Sequence, residues 1–395
     1  MGTRVMDDEI PRGQSSPNRR YYRQHDPSYY GSSADPLQQQ QSRPTDPQQR
    51  RKKEQIDQLK NFVGLGIGLS SVFSEYVLSH PCVVLRRQCQ VKSEGGWYHL
   101  TPFTIFPVVF NIGKHQGLTS LWKGIGSTFA ARGIFLVSET IISEITPFPK
   151  EVTRHSSLKK IGQHFVLKCM AHTLTTPFYA SSFVETVQSD IASERPGVFD
   201  CLKEGVTRVM GWGLPQSTRL LPVYKLILPV LGYKLSHYVI SSIAQYTVMS
   251  AVKVEQRERQ SSQEHLAEAS RIPSRSMYDK YFPELLAAFT GNFLADVMLY
   301  PLETVMHRLF IQGTRTILDN MDSGLGVLPI HTRYEGPLDC FMCIIKDEGL
   351  TGLYKGFGAL LLQYCIHATI LRTVKFLFEQ LSQDNNPPPI QQRRR

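Results

Sequence analysis

The 395-residue sequence lacks the usual parts of a catalytic centre: it has no Ser-His-Asp set, no phosphate-cradling loop and no carboxylates paired for acid and base work. An enzyme is therefore not expected, and no cofactor is implied. A disulfide scaffold is excluded as well. The seven cysteines (Cys82, Cys89, Cys169, Cys201, Cys340, Cys343 and Cys365) are odd in number and scattered among apolar residues, with no secretory signal expected in front, which suits a reducing compartment. Cys340 and Cys343 form a CxxC, but no second pair or nearby ligand histidine completes a zinc site; they read as two small core residues, and no metal is expected. Nucleic-acid binding lacks its marks too, since the net charge of +10 comes without zinc-finger spacing or a compact basic domain. The basic residues fall mostly in loops and tails, as at Arg50 to Lys53, Arg86 with Arg87, Lys159 with Lys160 and Arg393 to Arg395, where they suit anionic lipid headgroups. Membrane lipids are the first expected partner.

What the chain does have is hydrophobic runs of about twenty residues, the length of a membrane helix. Its mean hydropathy of −0.21 is low for purely lipid-facing helices and fits helices that turn one polar face to a cavity or to each other. The decapeptide GLTSLWKGIG, from Gly117, returns as GLTGLYKGFG from Gly349. Each copy follows a proline expected to close an apolar helix, Pro81 in HPCVVLRRQ and Pro301 in YPLETVMHRL. A repeat that far apart means duplicated supersecondary units. The unit reads as helix, proline, basic segment, amphipathic stretch, Gly-Leu-Thr, aromatic-Lys-Gly, helix. Its aromatic-Lys-Gly is Trp122, Lys123 and Gly124 in one copy and Tyr354, Lys355 and Gly356 in the other.

Residues 1–56, rich in Gln, Pro, Arg and Ser, cannot bury enough apolar surface to offset chain ordering and are expected to form a disordered, cytosol-facing tail. Asp7, Asp8 and Glu9 stand together near the start, so a cleaved matrix-targeting peptide is not expected. In the first span, 61–80, Gly64, Gly66 and Gly68 have no preceding strand; they read as small residues for close helix packing rather than as a dinucleotide loop. Further spans are expected near 127–145 and 164–182, from STRLLP onward, at 284–300 ending at Pro301, and at 356–381. The interval KVEQRERQSSQEHLAEASRIPSRS reads as a surface loop or exposed helix. The whole is an all-α membrane protein of six transmembrane helices in three pseudo-repeats, about 57–150, 157–252 and 280–383, followed by a Pro/Arg-rich tail, 384–395. The third repeat is longer than the first between proline and Gly-Leu-Thr, 301 to 349 against 81 to 117, because of the insert GTRTILDNMDSGLGVLPIHTRYEGP. Such a loop is expected to serve contacts more than stability.

This order of motifs resembles the mitochondrial carrier family, solute carrier family 25. The stretches HPCVVLRRQCQV, TPFYASSFVETVQSD, YFPELLA, YPLETVMHRLFIQGTRTILDN and LYKGFGALLLQY, spread from about Lys60 to Leu381, are similar to a divergent outer-membrane branch of it. The resemblance implies that each odd-numbered helix carries Pro-x-acid-x-x-base-x-base, the acid of one repeat pairing with the base of another to close one mouth of the cavity. This sequence largely lacks that ring. Repeat one has Pro81 and Arg86 but Val83 for the acid and Gln88 for the second base. Repeat three has Pro301, Glu303 and Arg308 but Met306 for the first base. In repeat two either Pro177 is the kink, with Tyr179 and Ser182, or Glu185 aligns with Glu303, with Phe183 and Gln188. At most one or two pairs are expected. At the other mouth the corresponding couples are Glu144 with Pro147, Gly232 with Leu235 and Phe376 with Glu379, none of them an acid and a base.

The family's substrate contacts lie midway along the even-numbered helices, commonly as Arg-x-x-Pro. Only Arg219 with Pro222 keeps it; Ala131 with Ile134 and Gln363 with Ile366 hold the other places, and Arg132 is one residue off register. An arginine in a span is costly unless paired or wet, which makes Arg219 the leading candidate, with a snorkelling base as the alternative. The intramembrane acids Glu75, Glu139, Glu144, Glu185 and Asp296 read as packing or cavity lining before chemistry.

The resemblance implies a multi-pass protein of the mitochondrial outer membrane that adapts the carrier fold to fission, fusion, cristae architecture and lipid homeostasis. Its implied partners are the mitofusin and optic-atrophy dynamin-like GTPases, the cristae-organising complex and the endoplasmic-reticulum membrane complex. The incomplete gates agree, and an adaptor is expected ahead of a genuine anion transporter. A lipid-handling or insertase-like bundle, opened sideways along Ser181, Ser182 and Gln188, is the third reading.

Overall fold

The computed structural model describes residues 73, 76–93, 96–152, 156–190, 200–210, 221–264, 277–314, 316–330 and 332–384, all within the compact unit Gln58–Arg395. The expected tail 1–56, most of the expected first span, Glu75, Arg219 and residues 385–395 lie outside them.

Long and short helices alternate in the order the repeats require. Residues 76–91 (α1) lead through α2 (Phe106–His115) to α3 (Ile125–Ile145). In the second repeat α4 (Leu158–Val187) leads through α5 (Asp200–Met210) to α6 (Val223–Glu264), and in the third α7 (Met277–Ile311) leads through α8 (Pro337–Glu348) to α9 (Phe357–Asp384). The strands described are β1 (Ile317–Asp319) and β2 (Val327–Pro329), an antiparallel hairpin inside the insert. The protein is thus an all-α membrane protein with a small strand pair. Among the described residues four stretches are long and apolar enough to cross a bilayer: Leu118–Ile145, Val223–Glu255, Phe282–Ile311 and Leu350–Phe376. Leu136, Val137, Leu228 and Met298 stand exposed on them, as lipid-facing residues do.

Pro81 and Pro301 do not close their helices, contrary to expectation. Pro177 lies inside α4 and Pro301 inside α7, and α1 runs past Pro81 to residue 91. A proline frees the carbonyl four residues before it, and in a membrane that carbonyl needs another donor. For Pro81 the freed carbonyl is that of Val77, and the Trp122 indole Nε1 donates to it at 2.7 Å. The fifth helix therefore reaches Ile311 rather than stopping at 300. The polar interval after the fourth span begins as exposed helix: α6 continues through Lys253, Glu255, Arg257 and Glu258 to a total of 42 residues, about 63 Å at 1.5 Å per residue.

Gly124 and Gly356, with φ of +65° and +79°, turn the chain into α3 and α9. Each lies against the proline helix of another repeat. A Cβ on Gly124 would meet Thr186 of α4 at 2.7 Å, and one on Gly356 would meet Cys89 of α1 at 2.7 Å. The repeated aromatic-Lys-Gly is thus a seat between repeats, and the third repeat seats on the first. The residues before Pro81 and Pro301 brace the same motif, His80 through Nε2 to the Lys123 carbonyl (2.9 Å) and Tyr300 through its hydroxyl to the Lys355 carbonyl (2.8 Å).

One core gathers Phe183, Leu309, Phe310 and Ile344 from α4, α7 and α8, and another gathers Leu85, Ile112 and Ala359 from α1, α2 and α9. The insert contributes to both, Leu318 to the first and Met321 to the second, so it is core rather than a free contact loop.

Candidate functional site

Pro81, Pro177 and Pro301 each stand ten residues before the ends of their helices, at residues 91, 187 and 311. That equal spacing aligns repeat two on Pro177. The acid positions then hold Val83, Tyr179 and Glu303, and the first basic positions hold Arg86, Ser182 and Met306. Glu185 falls outside the register; it faces Ser127, and the charges nearest it are the acids Asp200 and Glu204.

One ring pair forms. Arg86 Nη2 lies 3.2 Å from Glu303 Oε1, with the side chains 9% and 6% exposed. Gln90 braces it, donating through Nε2 to Glu303 Oε2 (3.0 Å) while its Oε1 meets His307 Nδ1 (2.7 Å). Arg87, buried beside it, donates to Thr186 Oγ1 at 3.1 Å and lies 5.5 Å over the Phe183 ring. A second constellation sits deeper in the bundle, where the Asp296 carboxylate of α7 meets His237 Nε2 of α6 (2.9 Å) and accepts from the Tyr364 hydroxyl of α9 (2.7 Å). Glu139 pairs with Lys168 at 2.6 Å. These two intramembrane acids are thus taken up by interhelical packing contacts.

A layer further out, repeat three closes on itself. Arg308 grips Glu348 with two hydrogen bonds (2.6 and 2.8 Å), and Lys355 Nζ reaches the same carboxylate at 2.7 Å. The matching places in repeat one, counted from Pro81 and from Gly117, hold Gln88, Gln116 and Lys123, two amides and a lysine without a local acid. The acid comes from the insert. Asp319 Oδ2 accepts from Lys123 Nζ (2.6 Å) and Gln88 Nε2 (2.9 Å), while Oδ1 accepts from Gln116 Nε2 (3.1 Å) and Ser189 Oγ (2.5 Å). Nearby, Asp322 pairs with Lys92 at 2.8 Å, Asn111 donates to the Ser323 carbonyl, and His99 Nε2 meets the Met321 carbonyl. Sequence reading missed Asp319, whose only signal was the loss of both charged partners of a lysine that was itself kept.

Burial alone would raise the Asp319 carboxyl, but Lys123 beside it and hydrogen bonds from Lys123, Ser189 and Gln88 hold it below its ordinary 3.8. Its charge thus favours the folded state fully above pH 3.8 and loses that effect as the pH falls through the lower folded value. Melts in detergent from about pH 7 to about pH 3 should show an acid-side loss of stability that Asp319→Asn lacks; parallel curves would remove the assignment.

Of the expected contact residues, Arg132 lies 4.9 Å over the Tyr76 ring, Gln363 is half-buried, Pro222 is exposed, and Arg219 is outside the described residues. The sideways opening that the third reading requires along repeat two is closed there. Ser181 and Ser182 are 2% exposed, donating to the Pro177 carbonyl and to Ser127 Oγ, and Gln188 bridges to Leu318. No group of three or more potential metal ligands occurs among the described residues.

Residues 279–385 match the mitochondrial carrier protein family. The chain is similar to the mitochondrial outer membrane protein SLC25A46 of Gallus gallus, 52% identical over 328 residues covering 83% of this chain and 79% of the relative. The human protein of the same name is 50% identical, over 83% of this chain and 77% of the relative. Solute carrier family 25 member 46-B of Xenopus laevis is 48% identical, over 83% and 78%.

Proposed function

Since the chain belongs to the mitochondrial carrier family, as a multi-pass protein of the mitochondrial outer membrane, we propose that it works as a fixed scaffold rather than as a solute carrier. The observation that carries this reading is the ring with one ion pair, Arg86 with Glu303, where Val83, Tyr179, Ser182 and Met306 bring no formal charge. Alternating access rocks one part of a bundle against another around a central site, so the contacts at each mouth must break and re-form as a set. A single pair on one side of a threefold opening is a packing contact.

A bundle that does not rock still presents long helices and loops for docking. The scaffold takes as partners the mitofusin and optic-atrophy dynamin-like GTPases, the cristae-organising complex and the endoplasmic-reticulum membrane complex. Through them it regulates fission, fusion, cristae organisation and lipid homeostasis. The 42-residue α6, about twice what the hydrocarbon core needs, supports a docking role on one side of the membrane.

Purified protein in liposomes should show no saturable counter-exchange of labelled anions. In cells lacking the protein, Arg219→Ala should restore mitochondrial network shape as well as the unsubstituted chain does. Carrier-like exchange that Arg219→Ala abolishes would overturn the scaffold reading and install the anion transporter in its place.

A further inference from the structure

We infer that the repeat-three insert, residues 313–337, is an internal strap: seated through Asp319, it holds the proline-motif end of the bundle shut where the ring has lost its ion pairs. The inference does not rest on the scaffold reading, because a transporter too could carry such a strap.

Internal symmetry carries the argument. In repeat three the base, the acid and the motif lysine are Arg308, Glu348 and Lys355, so the carboxylate that answers both cations lies in their own repeat, while Arg308 and Lys355 also donate to the Gln90, Lys92 and Ser93 carbonyls of repeat one. In repeat one the base and the acid have both become glutamine, and the lysine's carboxylate arrives from the third repeat instead. A bond that lay inside a repeat has thereby become a bond between repeats.

The same carboxylate also reaches repeat two. Ser189, two residues past the end of α4, donates to Asp319 through its hydroxyl, while its backbone N–H donates to the Ile317 carbonyl at 2.8 Å. Asp319 thus ties Gln88 of α1, Gln116 and Lys123 beyond α2, and the end of α4, with two donors on each oxygen. Opening this end of the bundle means parting α1 from α4, and that motion cannot proceed while one buried carboxylate, 2% exposed, bridges them. The turn that follows is fixed separately by Lys92 with Asp322 and by Asn111 with Ser323, so the strap has two further anchors just beyond its central bond.

The test uses the full chain in proteoliposomes and a membrane-impermeant maleimide, with each labelled thiol assigned by peptide mass spectrometry. Cys89 on α1 is 5% exposed and packs with Met321, so it reports opening at the strap; Cys340 is fully buried against Val305 of its own repeat and reports general unfolding. Asp319→Asn should speed Cys89 labelling by roughly tenfold or more and leave Cys340 slow, as local opening requires.

A second protein, Asp319→Asn with Gln116→Glu, separates a strap from a mere neutraliser of Lys123. It gives that lysine a local acid in the manner of repeat three, and should recover most of any lost melting temperature while Cys89 stays fast. If Asp319→Asn alone does not accumulate, this double variant supplies the labelling measurement. Slow Cys89 labelling in the Asp319→Asn chain, or its return to the slow rate once Gln116→Glu is added, would overturn the inference.

Discussion

Glu303→Gln will lower the unfolding free energy of the detergent-solubilised bundle by about 3–5 kcal/mol, because it strips a buried guanidinium of its counter-charge without changing shape. The partner left behind is Arg86, 7% exposed, whose Nε and Nη1 have no hydrogen-bonding partner among the described residues. Gln90 would also lose the carboxylate it donates to, and its hold on His307 would loosen with it. Arg86→Leu should cost about as much by leaving the opposite charge unpaired, whereas Arg86→Leu combined with Glu303→Gln should cost much less than the sum, since both desolvated ions vanish together. Chemical denaturation of the four proteins measures the coupling. A Glu303→Gln protein within about 0.5 kcal/mol of the parent would mean that the pair contributes nothing to holding α1 on α7.

Gly356→Ala is the second large expectation. At φ +79° an L side chain costs about 1–2 kcal/mol in backbone strain alone. The new methyl would also stand 2.7 Å from Cys89 Cβ and 3.1 Å from the Arg86 carbonyl oxygen, and forcing it in should add about 1–3 kcal/mol. Gly326→Ala separates the two costs, since Gly326 has a similar φ of +74° but nothing within 4 Å of its Cβ position. The Gly356 variant should therefore melt well below the Gly326 variant; equal melting would show that the seat on α1 tolerates a methyl group.

The sequence made the repeat and the helix order legible because both depend on local features: apolar runs, and a motif whose glycines can be counted. The depletion of the ring to at most one or two pairs was legible for the same reason, since Val83 and Met306 cannot bond ionically in any fold. Helix ends were not. Proline marks a stop in water, but here Trp122, 45 residues away in sequence, satisfies the carbonyl that Pro81 frees, and no local pattern announces that donor. The insert misled for a related reason. Its glycines and polar residues look like a surface loop, yet Asp319, Leu318 and Met321 are each about 2% exposed or less, held by partners up to 231 positions distant. The register of repeat two stayed open until the common distance from proline to helix end was visible. Glu185 illustrates the hazard, since its Glu-Thr-Val context copies that of Glu303 while its surroundings are acidic.

Because the third repeat seats on the first, the bonds that complete the molecule join its most distant parts. Lys355 Nζ donates to the carbonyls of Lys92 and Ser93, across 263 and 262 residues. During synthesis the α1 surface around Cys89 therefore waits, apolar and uncovered, until nearly the whole chain has left the ribosome. A nascent protein stopped before Gly356 would carry that bare face into the aqueous compartment or the bilayer, where chaperones and proteases meet it. Premature termination in the last repeat should accordingly act as loss of the whole protein, with degradation setting in before any partial bundle can accumulate.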